Sequence, residues 1–113
     1  MQVYDTANRL AQELKESEEY VNYKMAKQVI NLNIDLKKQI DEFEKLRYEE
    51  QMNFMQTGKQ DEERLKKVQE IYAKIIEKEE AKKYFDAELQ FNIMLGDVNK
   101  IISEAVRDVV EEK

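Results

Sequence analysis

The side chains of this 113-residue sequence that could do chemistry are almost all carboxylates and amines. The chain contains 25 Asp and Glu residues and 19 Lys and Arg residues, but no histidine and no cysteine. The chain therefore lacks the residues for acyl transfer by a nucleophile paired with an imidazole base. It also lacks the residues for thiolate chemistry. The two serines, Ser17 and Ser103, are predicted to cap a helix and to face solvent on a helix, respectively. We predict no catalytic residue and no enzymatic activity.

The charged run "EKEEAKK", residues 77–83, contains three glutamates that could be considered as metal ligands. Helical bundles that hold two metal ions place a histidine three residues after a glutamate, and that pattern cannot be written without histidine. A glutamate four residues before a lysine, as in Glu79 and Lys83, is instead typical of a solvent-exposed helix face. With no glycine-rich phosphate loop either, we predict no bound metal and no cofactor.

Charge and hydropathy exclude two further classes of protein. A net charge of −6 argues against direct binding of nucleic acid, because phosphate contacts need a positive surface. No run of about eighteen apolar residues is available to span a membrane. The amino terminus lacks the apolar core of a signal peptide, and we expect a cytoplasmic protein.

Composition indicates the fold class. Charged residues make up 39% and apolar residues 42% of the chain, with two glycines and no proline. Such a mixture favours long helices, because straight side chains lose little freedom on a helix. We predict a single all-α domain spanning residues 1–113, an elongated bundle of about five helices built around a long antiparallel helical hairpin.

The helix boundaries follow from local capping signals. We predict a first helix from about Val3 to Lys15, a second helix capped by Ser17 and a third helix capped by Asn33. The third helix is predicted to end at a break at Thr57-Gly58, and a fourth helix to begin at Gln60 or Asp61. After a bend near Lys78–Ala81, a last helix is predicted to continue to about Val110. Nothing in Lys78–Ala81 forbids a helix, so the last two helices could also be continuous.

The last helix is apolar on more than one side. A broad stripe, which we call the seam, consists of Tyr84, Ala87, Phe91, Met94, Leu95, Val98, Ile101, Ile102, Ala105, Val106 and Val109. Phe85, Leu89 and Ile93 form a second line outside the seam, here called the ridge, and Gly96 continues it. A helix that is apolar on two sides must bury both. Either the first two helices cover the ridge, or it packs against another subunit as the centre of a homodimer, with Gly96 as the point of close approach.

A carboxylate lies at the edge of the seam. Glu88 falls between apolar positions, where a carboxylate needs a partner. We expect an interhelical ion pair or hydrogen bond, with Arg9 or Lys24 as the partner.

The tip of the hairpin carries the segment "MNFM", with Met52, Phe54 and Met55 beside the turn at Gly58. These side chains could fold down and close the end of the core. Alternatively, flexible methionines around an aromatic ring form an adaptable contact surface for a partner.

Both ends of the sequence resemble a known family. The segments "VYDTANRLAQELKESEEY" (3–20) and "DAELQFNIMLGDVNKII" (86–102) are similar to the first and last helices of the YlbF/YmcA/YheA family, especially its YheA branch, through Ala87-Glu88, Leu95-Gly96 and Asn99–Ile102. The resemblance implies an all-α cytoplasmic protein of Gram-positive bacteria with no known catalysis.

The same resemblance suggests a function. The YlbF and YmcA members act as regulatory subunits of a multiprotein complex that influences competence, sporulation and biofilm formation and is linked to messenger RNA processing. Their cysteines, implicated in iron–sulfur clusters, have no counterpart here. The favoured hypothesis is a non-enzymatic regulatory protein that acts through protein contacts. The alternative is a helical chaperone-like or RNA-processing accessory factor whose hairpin tip grips a client.

Overall fold

The computed structural model describes residues 2–111 and consists of helices throughout. The first and the last two residues of the predicted 1–113 domain lie outside this range. Within it there are six helices and no strand: α1 (Gln2–Glu16), α2 (Glu18–Asn31), α3 (Ile34–Thr57), α4 (Glu62–Ile75), α5 (Glu79–Ala105) and α6 (Arg107–Val110). The all-α prediction is confirmed.

Three polar side chains begin helices where the sequence predicted them. The Ser17 hydroxyl accepts a hydrogen bond from the Tyr20 amide at 3.2 Å. Asn33 Oδ1 accepts from the Leu36 amide at 3.1 Å, and Asp61 Oδ1 accepts from the Arg64 amide at 3.1 Å. Each side chain satisfies an amide that has no partner in the first turn of its helix. Helices α2 and α3 thus start at their predicted caps, and α4 starts at Asp61, one of the two residues predicted to begin it.

Gly58 ends α3 as predicted. Its φ is +72°, in the left-handed region, and its amide donates to the Phe54 carbonyl at 2.8 Å. A residue with a Cβ is disfavoured in this conformation, which makes glycine the usual residue after a helix end. The chain then turns within four residues and begins α4 antiparallel to α3.

The last part of the chain contains two breaks. The first lies between Ile75 and Glu79, so the break begins slightly before the predicted bend near Lys78–Ala81. The second corrects the prediction of one helix to about Val110: α5 ends at Ala105, Val106 has φ −109° and ψ 5°, and the short α6 follows. Neither proline nor glycine marks this second break, and nothing in the local sequence explains it.

The described chain divides into two compact units, residues 2–25 with 85–111, and Ala26–Tyr84. The single domain stays a prediction. The second unit contains the helical hairpin of α3 and α4, with a core made by Ile30, Leu36, Ile40, Phe43, Val68, Ile75, Ala81 and Tyr84. The rings of Phe43 and Tyr72 lie 5.4 Å apart, and the Tyr84 hydroxyl donates to Glu44 Oε1 at 3.3 Å.

The first unit has a much smaller core. It contains α1, most of α2 up to Met25, the part of α5 from Phe85 onward, and α6. Among its described residues only Phe85 is fully buried, and the other apolar side chains are half-buried or exposed. The helices of this unit therefore leave a large part of their apolar surface uncovered within the chain.

The turn at Gly58 can be tested by substitution. We expect Gly58→Ala to lower the free energy of unfolding by about 1–2 kcal/mol, the cost of a left-handed conformation for a residue with a Cβ. The added methyl group itself meets no atom of the described residues within 4 Å, so the loss reports on backbone conformation alone. Denaturant titration followed by circular dichroism measures it. Gly58→Asn is the matched control, with a smaller loss expected because asparagine tolerates this region, and equal losses would contradict the explanation.

Candidate protein-interaction surfaces

A small aromatic cluster joins α2 to α5 in the first unit. The ring of Phe91 lies 5.2 Å from that of Tyr23 and 6.2 Å from that of Tyr20, both in tilted orientations. Tilted rings at such distances attract each other beyond the area they bury. The cluster holds the amino-terminal half of the seam against α2.

Glu88 has a partner, but not the predicted one. Its Oε2 accepts a hydrogen bond from the Tyr23 hydroxyl at 3.2 Å, rather than pairing with Arg9 or Lys24. Tyr23 reaches Glu88 because its ring already stacks on Phe91, one helical turn away on α5. The Tyr23 hydroxyl therefore gives the Glu88 carboxylate a hydrogen bond without the burial of a second charge. We interpret Glu88 as a structural residue.

The structure separates the four residues of the predicted ridge. Phe85 is only 7% exposed, whereas Leu89 and Ile93 are 56% and 49% exposed. The chain thus covers the first residue of the ridge and leaves the next two turns open. A Cβ at Gly96 would meet no described atom within 4 Å, so the chain itself makes no close approach there. The role of these residues as a subunit interface stays a prediction.

The hairpin tip also presents apolar side chains. Met52 is half-buried, but Phe54 and Met55 are 49% and 71% exposed. Phe54 and Met55 are thus not folded down onto the core. A partner contact at Met52, Phe54 and Met55 stays a prediction.

Hydrogen bonds fix the backbone at this tip. The Thr57 hydroxyl donates to the Asn53 carbonyl at 2.8 Å and accepts from the Lys59 amide at 3.1 Å. The Asn53 side-chain amide donates to the Lys59 carbonyl at 3.2 Å. Because these bonds close the turn across Gly58, Phe54 and Met55 extend from an ordered backbone, which lowers the entropic cost of binding a partner.

A pocket of about 280 Å³ opens next to the tip. Phe54, Leu65 and Val68 form its apolar wall, and Arg47 and Glu50 contribute the charged groups. An apolar recess with a few polar groups is the usual form of a small binding site. At this size it accommodates one side chain of a partner.

Glu50, in the wall of this pocket, is a buried charged residue that the sequence analysis missed. It is buried, its Oε1 accepts a hydrogen bond from the Asp61 amide at 2.9 Å, and its Oε2 lies 3.9 Å from Arg64 Nη1. The Oε2 atom is buried and has no hydrogen-bond partner. The available signal was its position seven residues after Phe43, two helical turns along the buried stripe of α3.

Across residues 2–111, no three acidic side chains converge in a way that could hold a metal ion. None of the helices in this range is both long and apolar enough to cross a membrane.

Comparison with known families shows which family this sequence matches. A family model described as "Control of competence regulator ComK, YlbF/YmcA" matches residues 3–107. The chain belongs to the YlbF/YmcA family. The match extends the resemblance seen at the two ends of the sequence through the residues that form the α3–α4 hairpin. Closer kinship to the YheA branch stays a prediction.

Several relatives of this YlbF/YmcA-family chain match it along almost its whole length. A UPF0342 protein of Desulfitobacterium hafniense is 34% identical over 97% of this chain and 89% of the relative. UPF0342 proteins of Clostridium novyi and Alkalihalophilus pseudofirmus are 33% and 32% identical, over 96% and 95% of this chain and 95% and 91% of the relatives. Their names state no activity.

The buried carboxylate offers a test of the hairpin. We expect Glu50→Ala to lower the free energy of unfolding by about 2–3 kcal/mol, because it leaves the Asp61 amide unpaired and opens a cavity beside it. Glu50→Gln keeps an oxygen acceptor for that amide and removes the charge, so a loss of under about 1 kcal/mol is expected. Denaturant midpoints of the two variants check the difference. If both variants lose the same amount, the charge near Arg64 matters more than the hydrogen bond.

Proposed function

We propose that this protein is a non-enzymatic regulatory protein that works by binding other proteins in the cytoplasm. The description of its family names the control of a competence regulator. This description favours a regulatory role over catalysis. The finer proposal is a role like that of the YlbF and YmcA regulators in competence, sporulation and biofilm formation.

The observation that carries this proposal is the ordered, apolar hairpin tip. Phe54 and Met55 are exposed on a backbone fixed by hydrogen bonds, and a pocket of about 280 Å³ lies beside them. Aromatic and methionine side chains are enriched at the centres of protein interfaces, where they supply much of the contact energy. The tip is therefore proposed as the surface that contacts a protein of the regulatory complex.

Self-association is the second part of the proposal. Leu89 and Ile93 are about half exposed and one turn apart on α5, and Gly96 leaves space next to them. Two copies of such a surface can meet about a two-fold axis, with the helix backbones approaching at the glycine. We propose this exposed part of the ridge as a contact between subunits.

The regulatory role can be tested in the native host. We expect deletion of the gene to reduce transformation, sporulation or biofilm mass, and a plasmid copy to restore them. Phe54→Ser/Met55→Ser should fail to restore them, although the protein accumulates, because both side chains are exposed and contribute little to folding. Affinity purification should recover a defined protein with the parent chain and about tenfold less of it with the variant, which corresponds to the loss of about 1.4 kcal/mol of binding.

Leu32→Ser is the matched control, because this apolar side chain is also exposed but lies outside the tip. It should restore the phenotype fully. Salt-sensitive RNA binding, or suppression of aggregation by the isolated protein, would support the accessory-factor alternative instead. A deletion strain without any phenotype would count against the regulatory role.

The ridge contact predicts a change in stoichiometry. We expect Leu89→Glu/Ile93→Glu to remain helical and to have half the molar mass of the parent assembly, because carboxylates cannot be buried there unpaired. Light scattering after size-exclusion chromatography measures the mass, and circular dichroism the helix content. Gly96→Ala is the companion variant: it should raise helix stability by about 0.5–1 kcal/mol and still weaken the assembly. An unchanged molar mass in a folded Leu89→Glu/Ile93→Glu protein would exclude the ridge as a subunit contact.

A further inference from the structure

The pocket beside the hairpin tip has one apolar wall, to which both arms of the hairpin contribute. Phe54 belongs to α3, and Leu65 and Val68 belong to α4. Val68 is buried and Leu65 is half-buried, whereas Phe54 is 49% exposed. The apolar surface therefore begins in the core of the hairpin and continues to the exposed tip. A partner's side chain that covers this wall needs apolar area of its own.

The other residues of the pocket supply hydrogen-bonding groups. Arg47 only donates hydrogen bonds, and an ionised Glu50 only accepts them. The side-chain amides of Gln51 and Gln60 do both. Arg47, Gln51 and Gln60 are exposed, whereas Glu50 is buried. Water can satisfy the exposed groups, so the hydrogen bonding that the pocket requires of a partner depends chiefly on Glu50.

The Glu50 carboxylate has one oxygen that can accept a further hydrogen bond. Oε1 accepts from the Asp61 amide at 2.9 Å, whereas Oε2 is buried and has no hydrogen-bond partner among residues 2–111. Arg64 Nη1 lies 3.9 Å from Oε2, within an ion pair but beyond hydrogen-bond distance. The Arg64 side chain is 36% exposed, so it can turn toward solvent without breaking a hydrogen bond to Glu50. A donor that enters from the pocket can then bind Oε2.

The charges next to the pocket select against a charged occupant. The Cζ atom of Arg47 lies 5.1 Å from the centre of the Phe43 ring, a cation–π contact that holds the guanidinium beside the pocket. A lysine or arginine of a partner would meet this cation and Arg64. An aspartate or glutamate would bring a second negative charge to the buried Glu50 carboxylate, which has no proton to donate. The pocket therefore suits a neutral side chain that carries a hydrogen-bond donor.

Tyrosine is the side chain that combines these properties. Its ring supplies apolar area for the wall, and its hydroxyl, at the far end of the ring, is a neutral donor. Leucine and phenylalanine have no donor, and serine, threonine, asparagine and glutamine have little apolar area. The N–H of tryptophan lies on the side of its ring system rather than at the end that enters a pocket first. At about 280 Å³ the pocket has room for one phenol ring.

We propose that this pocket binds a tyrosine side chain of a protein partner. The proposal rests on the proposed function of the tip as a protein-contact surface, and it adds the chemistry that the partner must present. The tyrosine ring packs on Phe54, Leu65 and Val68, and its hydroxyl donates to Glu50 Oε2. A hydrogen bond to a charged acceptor is roughly twice as strong as one between neutral groups, so the hydroxyl supplies selectivity as well as affinity.

Two neutral probes that differ by one hydroxyl group test the proposal on the full chain. We expect N-acetyl-L-tyrosinamide to bind with millimolar affinity and N-acetyl-L-phenylalaninamide to bind about tenfold more weakly, the factor for the loss of one hydrogen bond to a charged group. Titration followed by nuclear magnetic resonance of the backbone amides measures both affinities, with the largest chemical-shift changes at Phe54, Leu65 and Val68. Equal affinities of the two probes, or shift changes centred outside the pocket, overturn the proposal. Tighter binding of N-acetyl-L-lysinamide than of the tyrosine probe also overturns it.

A variant of Glu50 tests which group accepts from the hydroxyl. Glu50→Gln keeps an oxygen for the Asp61 amide and replaces the other oxygen by an amide nitrogen. The preference for the tyrosine probe should fall from about tenfold to about twofold, with the affinity for the phenylalanine probe unchanged. Gln51→Ala, at an exposed polar residue of the same pocket, is the matched control and should keep the preference. A tenfold preference that survives Glu50→Gln overturns the proposal, and the two probes on the parent chain decide it if this variant unfolds.

The same probes separate this proposal from the proposed function of the tip. A partner retained by the immobilised parent chain should be released by N-acetyl-L-tyrosinamide but not by N-acetyl-L-phenylalaninamide at the same concentration. A partner that Phe54→Ser/Met55→Ser loses, but that neither probe releases, overturns the tyrosine pocket and leaves the tip function in place. A partner that this variant retains counts against the tip function, whereas selectivity of the isolated chain for the tyrosine probe still supports the ligand class of the pocket.

Discussion

Two packed helices bury only the stripe along which they touch, and this constraint governs the whole molecule. An apolar surface wider than that stripe needs a third or fourth helix. In the unit Ala26–Tyr84, residues from four helices contribute to a common core, and both arms of the hairpin are buried along one side. In the other unit only Phe85 is fully buried among the described residues. The two units therefore differ in how much of their apolar surface is buried within the chain.

Most of the architecture followed from local signals in the sequence. Ser17, Asn33, Gly58 and Asp61 mark helix ends through short-range hydrogen bonds or a left-handed backbone, which depend on only a few neighbouring residues. The break at Val106 has no such signal, and it was missed.

Side-chain partners were harder to predict than helices. The partner of Glu88 was expected to be a cation, but a tyrosine held by Phe91 is in reach. The burial of Glu50 was not predicted, because a glutamate in a polar segment is normally exposed. The ridge was treated as one surface, yet Phe85 is buried and Leu89 is not. Each of these cases depends on which helices meet in three dimensions, and the spacing of residues along one helix does not determine that.

The carboxylate of Glu50 has a consequence for the alignment of the hairpin. Apolar stripes repeat with every turn, so α4 could slide along α3 by one turn, about 5.4 Å, and still bury leucine, valine and isoleucine side chains. Such a slide would remove the Asp61 amide from Glu50 Oε1 and Arg64 from the neighbourhood of Oε2. An isolated buried carboxylate is far more costly than a shifted apolar contact. This acidic side chain thus favours a single register of the two helices, in addition to the hydrogen bonds that close the turn between them.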